Sequence, residues 1–230
     1  RQTALSVRYS TFDSQRYALS MDNRSIRNTA ATVPYDFTVI MMNERTYGGG
    51  GIYNLYATVA ADNAFSRYIV IHEMGHHVAG LADEYYTSQV SYDTSSPITV
   101  EPWEHNVTAH LDGKVKWAHL ISPQTPVPTP WDQETFDIYG RKVEEQRAAI
   151  RARHGEETEM ENLFATQRQH EENLFASMKY RSGAGLFEGA NYRAKGYYRS
   201  GLNCIMFTRC LTFCPVCRDT LAKVIKQYSH

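Results

Sequence analysis

The five residues His72-Glu73-Met74-Gly75-His76 constrain this chain more than any other feature. Histidines four positions apart lie on one face of an α-helix, so both imidazoles reach the same point and can share one tetrahedral metal ion. The segment that carries them reads as a helix. From Asn63 to Ala79 the residues Phe65, Tyr68, Ile69, His72 and His76 recur every three to four positions, and Gly80 follows as a favoured stop. A five-residue pattern also arises by chance, so its weight comes from what surrounds it.

Upstream, Tyr35 to Met42 is β-branched and apolar enough for a strand buried inside a sheet, and a second strand-like piece runs through Val59. Between them, Tyr47-Gly48-Gly49-Gly50-Gly51-Ile52-Tyr53 predicts a glycine-rich loop beside a sheet edge. Such a loop serves either as a flexible turn or as a place where a peptide backbone pairs with the sheet. Downstream comes Gly80-Leu81-Ala82-Asp83-Glu84-Tyr85, where glycine lets the chain turn and return a carboxylate to the metal. Asp83 is the expected third ligand and Glu84 the alternative, because a catalytic zinc keeps three protein ligands and one open position. Glu73 lies beside the metal, where a carboxylate can take the proton of a zinc-bound water and hand it to a leaving amine. His77 points about 100° away from His76 around the helix and reads as structural.

Bulk properties exclude other classes. With 24 basic against 25 acidic side chains and a formal net charge of -1, the chain has no electrostatic footprint for nucleic acid. No apolar run approaches the roughly eighteen residues of a membrane helix, so no membrane span is expected. A start at Arg1 rather than Met is what removal of a leader or a further domain leaves behind. The sequons at Asn23-Arg24-Ser25 and Asn106-Val107-Thr108 are short patterns of little weight.

Residues 88–131 hold most of the prolines and predict irregular structure around one short element near Val115 to Ile121. From Asp132 to Tyr180 charge rises and Gly155 is the one evident breaker, which predicts a helical hairpin or a bent long helix. Within it, Glu161-Asn162-Leu163-Phe164-Ala165 recurs eleven residues later as Glu172-Asn173-Leu174-Phe175-Ala176. Eleven residues are close to three helical turns, so both Leu-Phe pairs fall on one inward stripe. A closing helix is expected from Pro215 to Tyr228. Cys204, Cys210, Cys214 and Cys217 form one cluster near that end. Disulfides are the preferred reading, Cys204 and Cys210 pairing with the other two, while Cys214-Pro215-Val216-Cys217 has the spacing of a zinc knuckle and leaves a second, structural zinc on the four cysteines as the alternative.

Taken together, His72 to Tyr85 resembles the IgA-peptidase-like family of secreted zinc peptidases, a branch of the zincins near the metzincins. Further landmarks of that family follow in order: Tyr35-Asp36, Tyr47 to Ile52, Pro123 to Pro130, Leu186 to Ala190, Tyr198-Arg199, Cys204-Ile205-Met206 and Phe213 to Cys217. The resemblance implies an α/β fold of the zincin, metzincin-like type, with a mixed sheet and an active-site helix in an N-terminal lobe, residues 1–84. A C-terminal lobe, residues 85–230, then has few regular elements plus a helical insertion at 132–179, the whole forming a single catalytic domain. It further implies a secreted zinc metalloendopeptidase acting on a protein or peptide, with His72 and His76 as zinc ligands, Glu73 as the base and Met206 in a turn beneath the metal; together with the cysteine cluster, which disulfides would place in an oxidising compartment, it implies a secreted or cell-surface location. The chain departs from the metzincin signature at Ala79, where a glycine is usual, and at Asp83, which replaces a third histidine. Glu188, Tyr192, Tyr198 and Arg199 are weighed as groups that polarise a carbonyl and are left outside the catalytic set. The competing function is a non-catalytic module that holds protein or glycan on the same fold. The intact His-Glu-His set argues against it, and hydrolysis of a non-peptide amide differs only in substrate.

Overall fold

In the computed structural model, residues 3–87 and 97–229 are described, so Arg1, Gln2, His230 and the stretch 88–96 of the proline-rich region lie outside the described residues. The chain divides into two compact units, Arg1–Gly80 and Leu81–His230.

The first unit opens with two short antiparallel strands, β1 (Val7–Arg8) and β2 (Leu19–Ser20), then a helix, α1 (Asn23–Ala30). Asp22 starts that helix by accepting a hydrogen bond from the Ser25 N–H at 3.0 Å, which satisfies one donor of its first turn. Three strands follow, β3 (Val39–Met42), β4 (Gly49–Ile52) and β5 (Tyr56–Ala60), in the order β3-β5-β4, with β5 parallel to β3 and antiparallel to β4. The central strand β5 is buried along its whole length. β3, expected inside the sheet, lies at its edge instead. Val39 and Met41 face outward, 40% and 71% exposed, while Ile40 and Met42 face inward. An apolar run with period-two exposure reads like a buried strand until its partners are known.

The glycine-rich segment is likewise no loop. Gly49 to Ile52 forms β4, paired residue for residue with β5, although glycine is a poor strand former. Its composition is explained by the helix that covers it, α2 (Ser66–Ala79). A side chain at Gly49 would meet Ile69 Cγ2 at 2.6 Å, and one at Gly51 would collide with the Glu73 carbonyl oxygen and stand 2.8 Å from His76 Cβ. The bare backbone of β4 therefore lets α2 settle directly on the sheet.

The second unit contains β6 (Val107–Thr108), 3-10 turns at Leu111–Gly113 and Ala118–Leu120, two long helices α3 (Gln133–Ala152) and α4 (Glu157–Ala176), strands β7 (Phe187–Ala190) and β8 (Arg193–Arg199), and α5 (Pro215–Tyr228). The strands form an antiparallel sheet in the order β6-β8-β7. The helix break falls at Gly155, beside a capping box in which Glu156 and Glu159 satisfy each other's backbone donors. Phe164 and Phe175, the aromatic members of the eleven-residue repeat, are both buried. Phe136 of α3 stacks on Phe175 of α4 at 5.8 Å and on Phe207 at 5.0 Å, so the hairpin is anchored by an aromatic cluster. The fold is thus mixed α/β, with five α-helices and three small sheets among the described residues.

Two predictions follow from this packing. Gly51→Ala inserts a methyl group where backbone already touches, and is expected to lower stability by about 1–3 kcal/mol in urea unfolding. Glu171, buried in α4 with Gln167 as a hydrogen-bond donor at 2.8 Å, has its pKa pushed up to about 7, chiefly by burial, with Arg209 opposing. A carboxyl whose folded pKa lies above its unfolded value favours folding fully below the unfolded pKa of about 4.3, and that contribution is lost as pH rises through the folded pKa. Glu171→Gln is therefore expected to gain stability relative to the parent on going from pH 5 to pH 8, by on the order of 2–3 kcal/mol in paired urea titrations. An unchanged difference between the two pH values would contradict it.

Candidate metal centre

Helix α2 is fixed at both ends. Asn63 donates through Nδ2 to the Arg45 carbonyl at 2.8 Å and accepts from the Phe65 N–H through Oδ1 at 2.9 Å, which sets the entry. Gly80 ends the helix in the left-handed region, φ 56°, and donates its N–H to the His76 carbonyl at 3.0 Å. Two turns before that end, the Nε2 atoms of His72 and His76 stand 3.2 Å apart, with their rings nearly perpendicular at 84°. Two imidazole nitrogens bound to one tetrahedral zinc at 2.0–2.1 Å are separated by about 3.3–3.4 Å, so the pair fits such an ion. With Glu73 they form a group whose ligand atoms lie within 4.8 Å of one another. His72 is buried, and Glu73 and His76 are half-buried. The Tyr68 hydroxyl lies 3.4 Å from His72 Nδ1, on the far side of the ring from Nε2, and orients it.

His77 faces elsewhere. Its Nε2 accepts the Thr38 N–H and its Nδ1 donates to the Ile52 carbonyl, each at 3.2 Å, which fixes a neutral tautomer; burial moves its pKa down. The ring thereby joins the residue preceding β3 to the last residue of β4.

In the second unit Asp83 and Glu84 occupy different environments. The Asp83 Oδ2 accepts a hydrogen bond from the Tyr85 hydroxyl at 2.7 Å and another from the Tyr192 hydroxyl. Asn191 and Tyr192 form the two-residue turn between β7 and β8, both at positive φ as a tight hairpin requires. Their N–H groups donate to the carbonyls of Asp83 and Tyr85 at 3.0 and 3.1 Å. This clamp on Asp83 leaves no trace in the sequence, because Tyr192 stands far along the chain from the carboxylate it holds.

Glu84 is fully buried and donates its N–H to the Met206 carbonyl at 2.8 Å. Its Oε1 accepts from Asn106 Nδ2 at 3.0 Å and lies 3.4 Å from Cys217 Sγ. Burial raises the Glu84 carboxyl well above the ordinary range. Met206 is itself fully buried in a tight turn where the N–H groups of Phe207 and Thr208 both donate to the Cys204 carbonyl. All four cysteines are free thiols, in place of the expected disulfides. They do not form one set either. Cys210 turns its sulfur to the Thr212 carbonyl at 3.5 Å, whereas Cys204, Cys214 and Cys217 gather with Glu84. Asn106, read as part of a sequon, is fully buried with both donors directed at Ala82 and Glu84, so it offers nothing to a glycan.

Of the remaining candidates, Glu188 pairs with Lys195 at 3.0 Å and the Tyr198 ring meets His110 edge-on. Arg199 is fully buried. Its guanidinium lies 3.8 Å from the Phe207 ring and 4.2 Å from the Trp131 ring and donates to the carbonyls of Glu188 and Gly189. Burial pulls its pKa down to about 10, which leaves it a cation at neutral pH. No helix among the described residues is long and apolar enough to cross a membrane.

Comparison with curated proteins found no match. A family model described as IgA Peptidase M64 matches residues 1–225. The chain therefore belongs to the IgA peptidase M64 family and is a peptidase, a hydrolase of peptide bonds.

Proposed function

We propose that the chain is a secreted zinc metalloendopeptidase of zincin, metzincin-like fold, with zinc held by His72, His76 and Asp83 and Glu73 as its general base. The observation that carries this reading is the 3.2 Å approach of the two Nε2 atoms, next to Glu73, on a capped helix in a chain of this family. A zinc ion at that point supplies Lewis acidity, polarising a carbonyl oxygen and making a nearby water acidic.

The protein's own groups do the rest. Glu73 accepts the proton of the attacking water on a carboxylate oxygen and delivers it to the leaving amide nitrogen. Tyr68 holds the His72 ring so that Nε2 points to the ion, and the close seating of α2 on β4 keeps both histidines from drifting. Asp83 is preferred to Glu84 as third ligand because Glu84 is already committed to Asn106 and to the thiol group, whereas Asp83 is a carboxylate oriented by two tyrosine hydroxyls. A protein or peptide is the substrate class that goes with the family.

Glu73→Gln keeps the ligand set and removes the base. Its expected behaviour is unchanged zinc content with peptide-library cleavage reduced by about 10²–10⁴-fold. Parental turnover by that variant would remove Glu73 from the role.

A further inference from the structure

The thiol group of the second unit takes no part in the hydrolytic chemistry proposed above. Cys204, Cys214 and Cys217 present their sulfurs, and Glu84 a carboxylate oxygen, within 4.8 Å of one another, and all four residues are buried, 4% exposed or less. Cys204 Sγ and Cys217 Sγ are 3.7 Å apart. That is far beyond the 2.05 Å of a disulfide, yet it matches the edge of a tetrahedron with 2.3 Å metal–sulfur bonds, about 3.8 Å. The backbone is arranged for sulfur anions. The Cys214 N–H donates to Cys204 Sγ at 3.3 Å, the Cys217 N–H to Cys214 Sγ at 3.5 Å, and the Ser200 hydroxyl lies 3.1 Å from Cys214 Sγ. Cys214 is also the N-cap of α5, where the helix dipole favours negative charge, and Pro215 fixes the first turn.

The carboxylate of the group also points to a cation as its partner. The Glu84 Oε2 is buried with no hydrogen-bond partner, an arrangement that is unfavourable unless something else satisfies it. Arg199, fully buried, is a cation of the same unit. A redox role for the Cys-x-x-Cys pair does not suit this burial, because reactive thiols sit where a partner can reach them.

We infer that Cys204, Cys214, Cys217 and Glu84 form a structural zinc site, with Glu84, rather than Cys210, as the fourth ligand. On binding, each thiol and the Glu84 carboxyl give their protons to solvent and ligate as thiolates and carboxylate. Three thiolates, one carboxylate and a dication leave a net charge of −2, partly offset by Arg199. Closing all four coordination positions with protein ligands makes the site structural rather than catalytic. It ties the turn that contains Met206 and the start of α5 to Glu84, the residue next to the proposed third ligand of the other centre.

The test removes the first centre and asks whether metal stays. His72→Ala/His76→Ala, prepared in reductant with zinc and then dialysed, is expected to retain one zinc equivalent. Its cobalt form should show a thiolate-to-metal charge-transfer band and the intense visible bands of tetrahedral cobalt. Adding Cys210→Ser should leave both unchanged, and adding Glu84→Gln should weaken zinc binding tenfold or more. As a control that does not depend on folding of the double variant, organomercurial titration of Cys210→Ser alone should release one zinc equivalent as its three thiols react. Zinc-free double variant, fewer than four free thiols in the denatured unreduced parent, or loss of the charge-transfer band on Cys210→Ser would each overturn the assignment.

Discussion

The contact on which the first unit depends is between a helix and the three glycines of a strand. α2 carries His72, Glu73 and His76, and it lies so close to β4 that Gly51 faces the Glu73 carbonyl and the His76 Cβ directly. Packed interiors transmit displacement rather than absorbing it, so a methyl group here moves the helix and everything it presents. Catalytic geometry tolerates little of that movement. The same contact explains why a segment rich in glycine, normally a poor strand former, is paired along its length with the central strand. His77 adds a second tie by bonding both Thr38 and Ile52 through its two ring nitrogens.

Much of the centre was legible in the sequence because it is local. The recurrence from Phe65 to His76, the stop at Gly80 and the turn of His77 away from His76 all follow from helix geometry, and the structure has α2 from Ser66 to Ala79 with Gly80 as its cap. The helix break at Gly155 and the buried Phe164 and Phe175 follow from periodicity in the same way. What failed was non-local. Whether Val39 to Met42 is central or at an edge depends on partners that the run itself does not name, and glycine reads as a loop until the covering helix is known. The clamp of Tyr85 and Tyr192 on Asp83, and the capture of Glu84 by Asn106 and three cysteines, join residues that no spacing rule connects.

The adjacent carboxylates Asp83 and Glu84 lie in different surroundings, which is what favours the first as the proposed third ligand. In the sequence Asp83 is the expected ligand and Glu84 its alternative on the turn after Gly80 alone, whereas in the structure their surroundings differ in chemistry. One meets two phenol hydroxyls and the other a nest of sulfurs. The free thiols also alter the argument about compartment. Free thiols do not require an oxidising environment, so the proposal of secretion rests on resemblance to the family rather than on disulfides.

The central claim, that α2 holds a catalytic zinc through His72 and His76, is tested most directly by anomalous diffraction at the zinc absorption edge on crystals of the zinc-loaded chain. The account predicts a peak within about 2.0–2.1 Å of both Nε2 atoms, completed by an Asp83 oxygen and an open position. Zinc-loaded crystals with no anomalous density between those two imidazoles would contradict it.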